Sequence, residues 1–187
     1  MSDMADLAPR LFTVDEYHRI ADAGLFADER VELLDGLIVS MSPIGQRHWR
    51  RHATISAYLN EAVRGAALIV PQGSFPLGNR NEPEPDIAVL SPHIDESTKV
   101  EPRQDIYAMI ELSETSLAVD LGFKLRLYAR FGVRDYLVVD LAANVLLHHS
   151  QPDDLGYRDV ERLGPGATFA LARVPEIVLR ADPFLAP

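Results

Sequence analysis

There is no cysteine among these 187 residues, which excludes disulfides, thiolate zinc sites and cysteine nucleophiles together. No apolar run approaches the roughly 20 residues that a membrane helix needs, and the opening "MSDMADLAPR" lacks a basic segment followed by an apolar one. The expected location is the cytoplasm, with no membrane partner. Positive charge is also scarce: 18 Lys and Arg against 28 Asp and Glu give a formal net charge of −10 at pH 7. That balance argues against a protein that grips many backbone phosphates without selectivity. One basic cluster, "GQRHWRRH" (45–52), stands against the trend. Internal repeats and low-complexity tracts are missing too, so the chain reads as one domain over 1–187, with 1–10 flexible.

The elements that are present alternate in type. Apolar spacing and Thr13 predict a helix over 12–24 ending at Gly24, a lid or packing element. Asp35-Gly36 between two apolar stretches predicts a hairpin, with strands near 30–34 and 37–42. From Gln46 to Val63, the residues Trp49, Ile55, Tyr58, Leu59 and Val63 share one helical face, with Gly65 as the stop. Short strands are expected at 67–70 and 74–77, then a proline-rich turn at 78–85. The β-branched run 86–90 and the apolar run 106–112 read as buried, adjacent strands across the polar loop 91–105. A helix over 116–132 carries Leu117, Leu121, Leu125 and Tyr128 as its apolar stripe and ends at Gly132. A strand at 134–140 pairs with 144–149, and 150–187 alternates turns with short strands. Apolar edges in the 134–149 hairpin and the C-terminal strands make a homodimer an expectation.

Two carboxylates stand out. Strand alternation sends Glu111 and Ser113 to one side of "IYAMIELS", and Asp86 opens a strand that lies alongside. Paired carboxylates at a buried sheet edge repel unless a cation sits between them. Mg²⁺ or Mn²⁺, with a backbone carbonyl such as that of Leu112, is the simplest cation to expect. Lys124, at the border of the stripe, is placed to orient water or to stabilise charge on a phosphorane-like transition state. Plainer readings exist for each residue. Asp86 suits a strand-entry turn, Asp120 and Lys124 have the spacing of a surface ion pair, and Ser113 and Thr115 suit helix caps. Adjacent His148 and His149 point to opposite faces of a strand and make poor joint ligands.

"PDIAVL", "IELS" and "DLGFK…YARFGVRDYLVVD", in this order and following "VELLDGLIVSMSP" and His48, resemble the PD-(D/E)XK nuclease superfamily, in its large bacterial branch of restriction endonucleases. The resemblance implies an α/β (α+β) fold: a restriction endonuclease-like core of order αβββαβ with a mixed central sheet, an added N-terminal helix and hairpin, and C-terminal strands. It implies Asp86 and Glu111 as ligands of Mg²⁺ or Mn²⁺, DNA as substrate and phosphodiester hydrolysis as chemistry. Glu32 and His48 match recurring polar positions of the branch. The E-x-K motif is altered: Ser113 occupies the lysine's place, and Lys124, on the next helix, is the candidate for its role. Two other readings stay open. One is a non-catalytic nucleic-acid-binding or scaffold protein that keeps the fold, and the other a metal-free carboxylate-pair glycosidase.

Overall fold

The computed structural model describes residues 8–41, 45–95, 97 and 99–186. Most of the expected flexible segment 1–10 and the end of the expected strand 37–42 lie outside the described residues. The chain groups into two compact units, Met1–Pro43 with Ser74–Glu84, and Ile44–Gly73 with Pro85–Pro187.

The first unit holds helix α1 (Val14–Asp22) and the antiparallel pair β1 (Val31–Leu34) and β2 (Leu37–Ser40). Thr13 caps α1 reciprocally: its hydroxyl accepts the Glu16 N–H while the Glu16 carboxylate accepts the Thr13 N–H, satisfying two otherwise orphaned donors. Asp35 and Gly36, at φ 46° and 79°, form the two left-handed positions that a tight hairpin turn demands. Space as well as φ requires glycine at 36, because a Cβ there would lie 2.7 Å from Leu11 Cβ. The segment 74–77, expected as a strand, is irregular. Phe75 and Leu77 donate their N–H groups to Pro83 and Asn81 across a turn rather than to a neighbouring strand, and Pro76 has no donor to offer.

The second unit is a six-stranded mixed sheet in the order β3-β4-β5-β6-β7-β8. Its strands are β3 (Leu68–Pro71), β4 (Ile87–Leu90), β5 (Ile106–Ser113), β6 (Asp135–Asp140), β7 (Val145–Asp153) and β8 (Gly156–Leu163). Only β5 and β6 run parallel, and the chain crosses between them through α4 (Leu117–Val119), a π-helical turn (Asp120–Lys124) and α5 (Leu125–Arg130). Helix α2 (Gln46–Val63) precedes β3, so the run from α2 to β6 has the expected αβββαβ order. A short helix α3 (Pro102–Asp105) interrupts the loop before β5, and a small pair β9 (Thr168–Phe169) and β10 (Leu179–Arg180) follows β8.

Alternation sorts the sheet into two faces. Ile87, Val89, Ala108, Ile110, Leu112, Leu137 and Val139 form one core with Ile55, Leu59 and Val63 of α2, each of these α2 residues four apart and so on one stripe. The other face of β5 carries Met109, Glu111 and Ser113, all buried. The central strand β4 is buried at every position, as expected for a strand covered on both sides.

Three expectations need correction. Trp49 is 52% exposed, because α2 inserts its apolar stripe only from Ile55 onward. The 134–149 hairpin is not an edge: β6 and β7 are interior strands, and the edge strand β8 presents Arg158, Asp159, Glu161 and Arg162 to solvent, charges that discourage further strand pairing. Finally, the helix after β5 is not a continuous α-helix with a leucine stripe. Leu117, Leu121 and Leu125 are only partly buried, whereas Asp120, Lys124 and Tyr128 are buried.

Candidate active site

Antiparallel pairing sets Ile87 opposite Ile110. Asp86, just before β4, therefore lies at the Glu111 end of this register, beside Leu112. Asp86 is fixed from two directions. Its Oδ2 accepts the Leu112 N–H at 2.7 Å and the His48 Nε2–H at 3.1 Å. His52, one turn further along α2, reaches the Asp86 carbonyl at 2.8 Å through Nε2. Oδ1 takes no hydrogen bond among the described residues. The first two turns of α2 thus aim both histidines at the start of β4.

Glu111 is clasped by the crossing helix. Its Oε1 accepts Lys124 Nζ at 3.1 Å and the Tyr128 hydroxyl at 3.0 Å, and the Lys124 and Glu111 side chains are each 6% exposed. Such a pair survives burial only with good geometry and further hydrogen bonds, which Tyr128 supplies. Asp120, expected as a surface partner of Lys124, is instead buried and accepts the hydroxyls of Ser113 and Ser116 on Oδ2 at 2.7 and 2.6 Å. The Tyr136 hydroxyl donates to the Asp120 carbonyl at 3.1 Å. Full burial, with the Glu111 and Asp120 charges nearby, pushes the Tyr136 phenol well above its ordinary range, so it stays a donor. Among the described residues no three His, Cys, Asp or Glu side chains gather as metal ligands. The carboxylate oxygens that Asp86 and Glu111 offer are donors of the kind a hard cation takes, unlike those of a zinc cage.

Five other residues singled out in the sequence fall elsewhere or into other duties. Glu32 lies on β1 in the first unit, buried, where its Oε2 accepts the Glu84 N–H at 3.3 Å. In the basic cluster, Arg47 and Arg51 donate to the backbone carbonyls of Leu141 and Leu185. His148 and His149 do point to opposite faces: His148 pairs with buried Asp135 at 2.8 Å, and His149 packs with Tyr136 and Tyr157.

His149 has a testable pH consequence. Burial foremost, and then the neighbouring His148, lowers its pKa from 6.5 to about 4, and its Nε2 has no hydrogen-bond partner among the described residues. The folded protein therefore holds the ring neutral, while the unfolded chain takes up a proton near 6.5. The stabilisation is complete above pH 6.5, is lost as the pH falls towards 4, and amounts to roughly 2 kcal/mol after allowance for solvent. Denaturant titrations from pH 7 to 4 are expected to show a flatter decline for His149→Phe than for the wild type. Parallel declines would refute the assignment.

The family model "Uma2: Putative restriction endonuclease" matches residues 14–182. The chain belongs to the Uma2 family. No curated protein matches it. Among solved structures, this Uma2 chain is similar to a "putative nuclease belonging to DUF820 from Anabaena variabilis ATCC 29413", with a TM-score of 0.69 and 15% identity over 92% of this chain and 97% of that one. At that identity the likeness shows the fold: the nuclease-like α+β architecture expected from the sequence. Sequence reasoning missed Asp120, Tyr128 and His52 as partners of the site. The one available signal was the spacing of Asp120, Lys124 and Tyr128, four apart, which the leucine stripe obscured.

Proposed function

We propose that this Uma2 protein is a metal-dependent endonuclease that hydrolyses DNA phosphodiesters, with 1–187 acting as one restriction endonuclease-like domain. The observation that carries the reading is the buried Lys124–Glu111 pair, with Asp86 hydrogen-bonded to the next residue of the strand, Leu112. It sets a lysine against the glutamate of "IELS", although the E-x-K position itself is Ser113. The family match from 14 to 182 runs through both units and supports treating them as one domain.

On this reading Asp86 and Glu111 hold Mg²⁺ or Mn²⁺, which when bound polarises a phosphoryl oxygen and acidifies a water. The chain's own residues do the rest. The Leu112 N–H and His48 hold the Asp86 carboxylate in place through its Oδ2. Lys124, already desolvated, faces the place where charge grows on the phosphorus oxygens, and a preorganised donor in a dry site stabilises that charge without reorganisation. An ammonium there also orients the attacking water. Ser113 anchors the helix that brings the lysine, through Asp120.

The deciding experiment is calorimetric titration of Mn²⁺ and Mg²⁺ into the wild type and Asp86→Asn, beside plasmid cleavage with and without chelator. The amide can still accept the Leu112 N–H, so the variant is expected to fold normally. Its Mn²⁺ affinity should fall about 10- to 100-fold or more, and wild-type cleavage should stop in chelator. Unchanged binding in Asp86→Asn would sink the reading, and chelator-resistant cleavage would point instead to metal-free carboxylate chemistry.

A further inference from the structure

The turn that delivers Lys124 is π-helical: the Leu125 N–H donates to the Asp120 carbonyl, five residues back. An α-helix turns about 100° per residue, so four residues overshoot a full circle by about 40° and eight by about 80°. In a continuous α-helix Asp120 and Tyr128 would therefore diverge by nearly a quarter turn. A π turn, with its i→i+5 bond, is wider, and four residues of it fall short of a circle by roughly 30°. The shortfall from Asp120 to Lys124 cancels the overshoot from Lys124 to Tyr128, and all three side chains line up on the side facing β5. Burial agrees with this: Asp120, Lys124 and Tyr128 are buried, Arg126 is exposed, and Leu121, Phe123 and Leu125 are intermediate.

Both ends of this polar column are secured. At the upper end, Ser113 and Ser116 hold the Asp120 carboxylate, and the Tyr136 hydroxyl holds its carbonyl. At the lower end, the fully buried Tyr128 ring lies 5.0 Å from that of Tyr136, and its hydroxyl shares Glu111 Oε1 with Lys124. Tyr136 thus ties the head of the π turn to Tyr128. Two donors on Oε1 dictate which oxygen of Glu111 they occupy, and so the orientation in which the carboxylate meets a cation.

We propose that Tyr128 and Asp120 are positioning residues: Tyr128 orients the Glu111 carboxylate, and Asp120, clasped by Ser113, sets the turn that brings Lys124 onto it. This rests on the reading of Asp86 and Glu111 as metal ligands. Outer hydrogen-bond partners of metal ligands typically change affinity by about 10- to 100-fold. Tyr128→Phe keeps the buried ring and removes only the hydroxyl, and Asp120→Ala removes the acceptor of both serines.

The test is Mn²⁺ titration by calorimetry into wild type, Tyr128→Phe, Asp120→Ala and Glu111→Ala, with thermal midpoints of the metal-free proteins measured alongside. Tyr128→Phe is expected to bind Mn²⁺ about tenfold more weakly with a nearly unchanged midpoint. In plasmid cleavage run alongside, Asp120→Ala is expected to lower kcat with KM retained, and a kcat equal to that of the wild type would overturn its part in placing Lys124. A purely structural tyrosine would lower the midpoint and leave Mn²⁺ affinity alone, which would overturn the positioning role. If Glu111→Ala binds as the wild type does, or the wild type binds no Mn²⁺, the underlying reading fails. If Glu111→Ala loses binding while Tyr128→Phe keeps it, only the positioning role fails.

Discussion

Glu111→Gln is expected to lose Mn²⁺ binding and at least a hundredfold of DNA cleavage, the scale on which removal of a ligand or its support acts, and to be less stable than the wild type. The two losses have separate causes. The first follows from removing one of the two carboxylates proposed to hold the cation. The second follows from burial: Lys124 is 4% exposed, and its ammonium would lose the Glu111 carboxylate it pairs with, at a cost of about 3–5 kcal/mol. Replacing both members should separate the effects. Glu111→Gln/Lys124→Met removes both charges of the pair and is expected to recover most of the lost stability while staying inactive, because replacing a whole buried pair is often neutral. Denaturant titration, calorimetry and plasmid cleavage on the three proteins make the comparison. A single variant that binds Mn²⁺ as the wild type does would show that Glu111 serves the fold alone.

Lys124→Met should give the opposite signature in metal binding. The lysine is proposed to act on water and on developing negative charge, so its loss should lower kcat by about 10²–10⁴-fold, the range of a positioned proton-handling or charge-stabilising group. Yet it also competes with any cation for Glu111. Without the ammonium, the buried carboxylate, still held by Tyr128, needs a positive partner, and Mn²⁺ affinity should be equal to or tighter than that of the wild type. The metal-free variant should be destabilised, and Mn²⁺ should restore its thermal midpoint by mass action. Cleavage within a fewfold of wild type would remove Lys124 from the chemistry. Loss of metal binding would instead mean that the lysine is needed to shape the site.

Legibility from sequence followed the range of the forces involved. The Asp35-Gly36 hairpin could be read because a two-residue turn with positive φ is specified locally. Helix α2 and strands β4 to β6 could be read because apolar periodicity persists across each. Asp86 and Glu111 followed from alternation once β4 and β5 were taken as neighbours, and their antiparallel register bears out the neighbouring placement. The π turn could not be read, because a 3.6-residue template applied to 116–132 selects the leucines and assigns Tyr128 to the apolar stripe, where its hydroxyl has no meaning. "SFPL" looked like a strand, but its donors are used by residues 81 and 83, a pairing settled by tertiary context. Trp49 belonged to the helical pattern and still faces solvent, since periodicity defines a face without saying how far along the helix that face is covered.

The anchoring of Arg47 and Arg51 on the carbonyls of Leu141 and Leu185 changes how an acidic nuclease would meet its substrate. Each phosphate neutralised by a cationic side chain releases condensed counterions and steepens the salt dependence of binding by nearly one unit of slope. Two of the three arginines in the cluster at 45–52 donate to the protein's own backbone, which leaves Arg50 as the one without such a bond among the described residues. With a net charge of −10, the protein is expected to slide little along a duplex on charge alone. On the proposed reading, its encounter with DNA depends on a few contacts at the scissile phosphate, bridged by the cation, and not on a long electrostatic track.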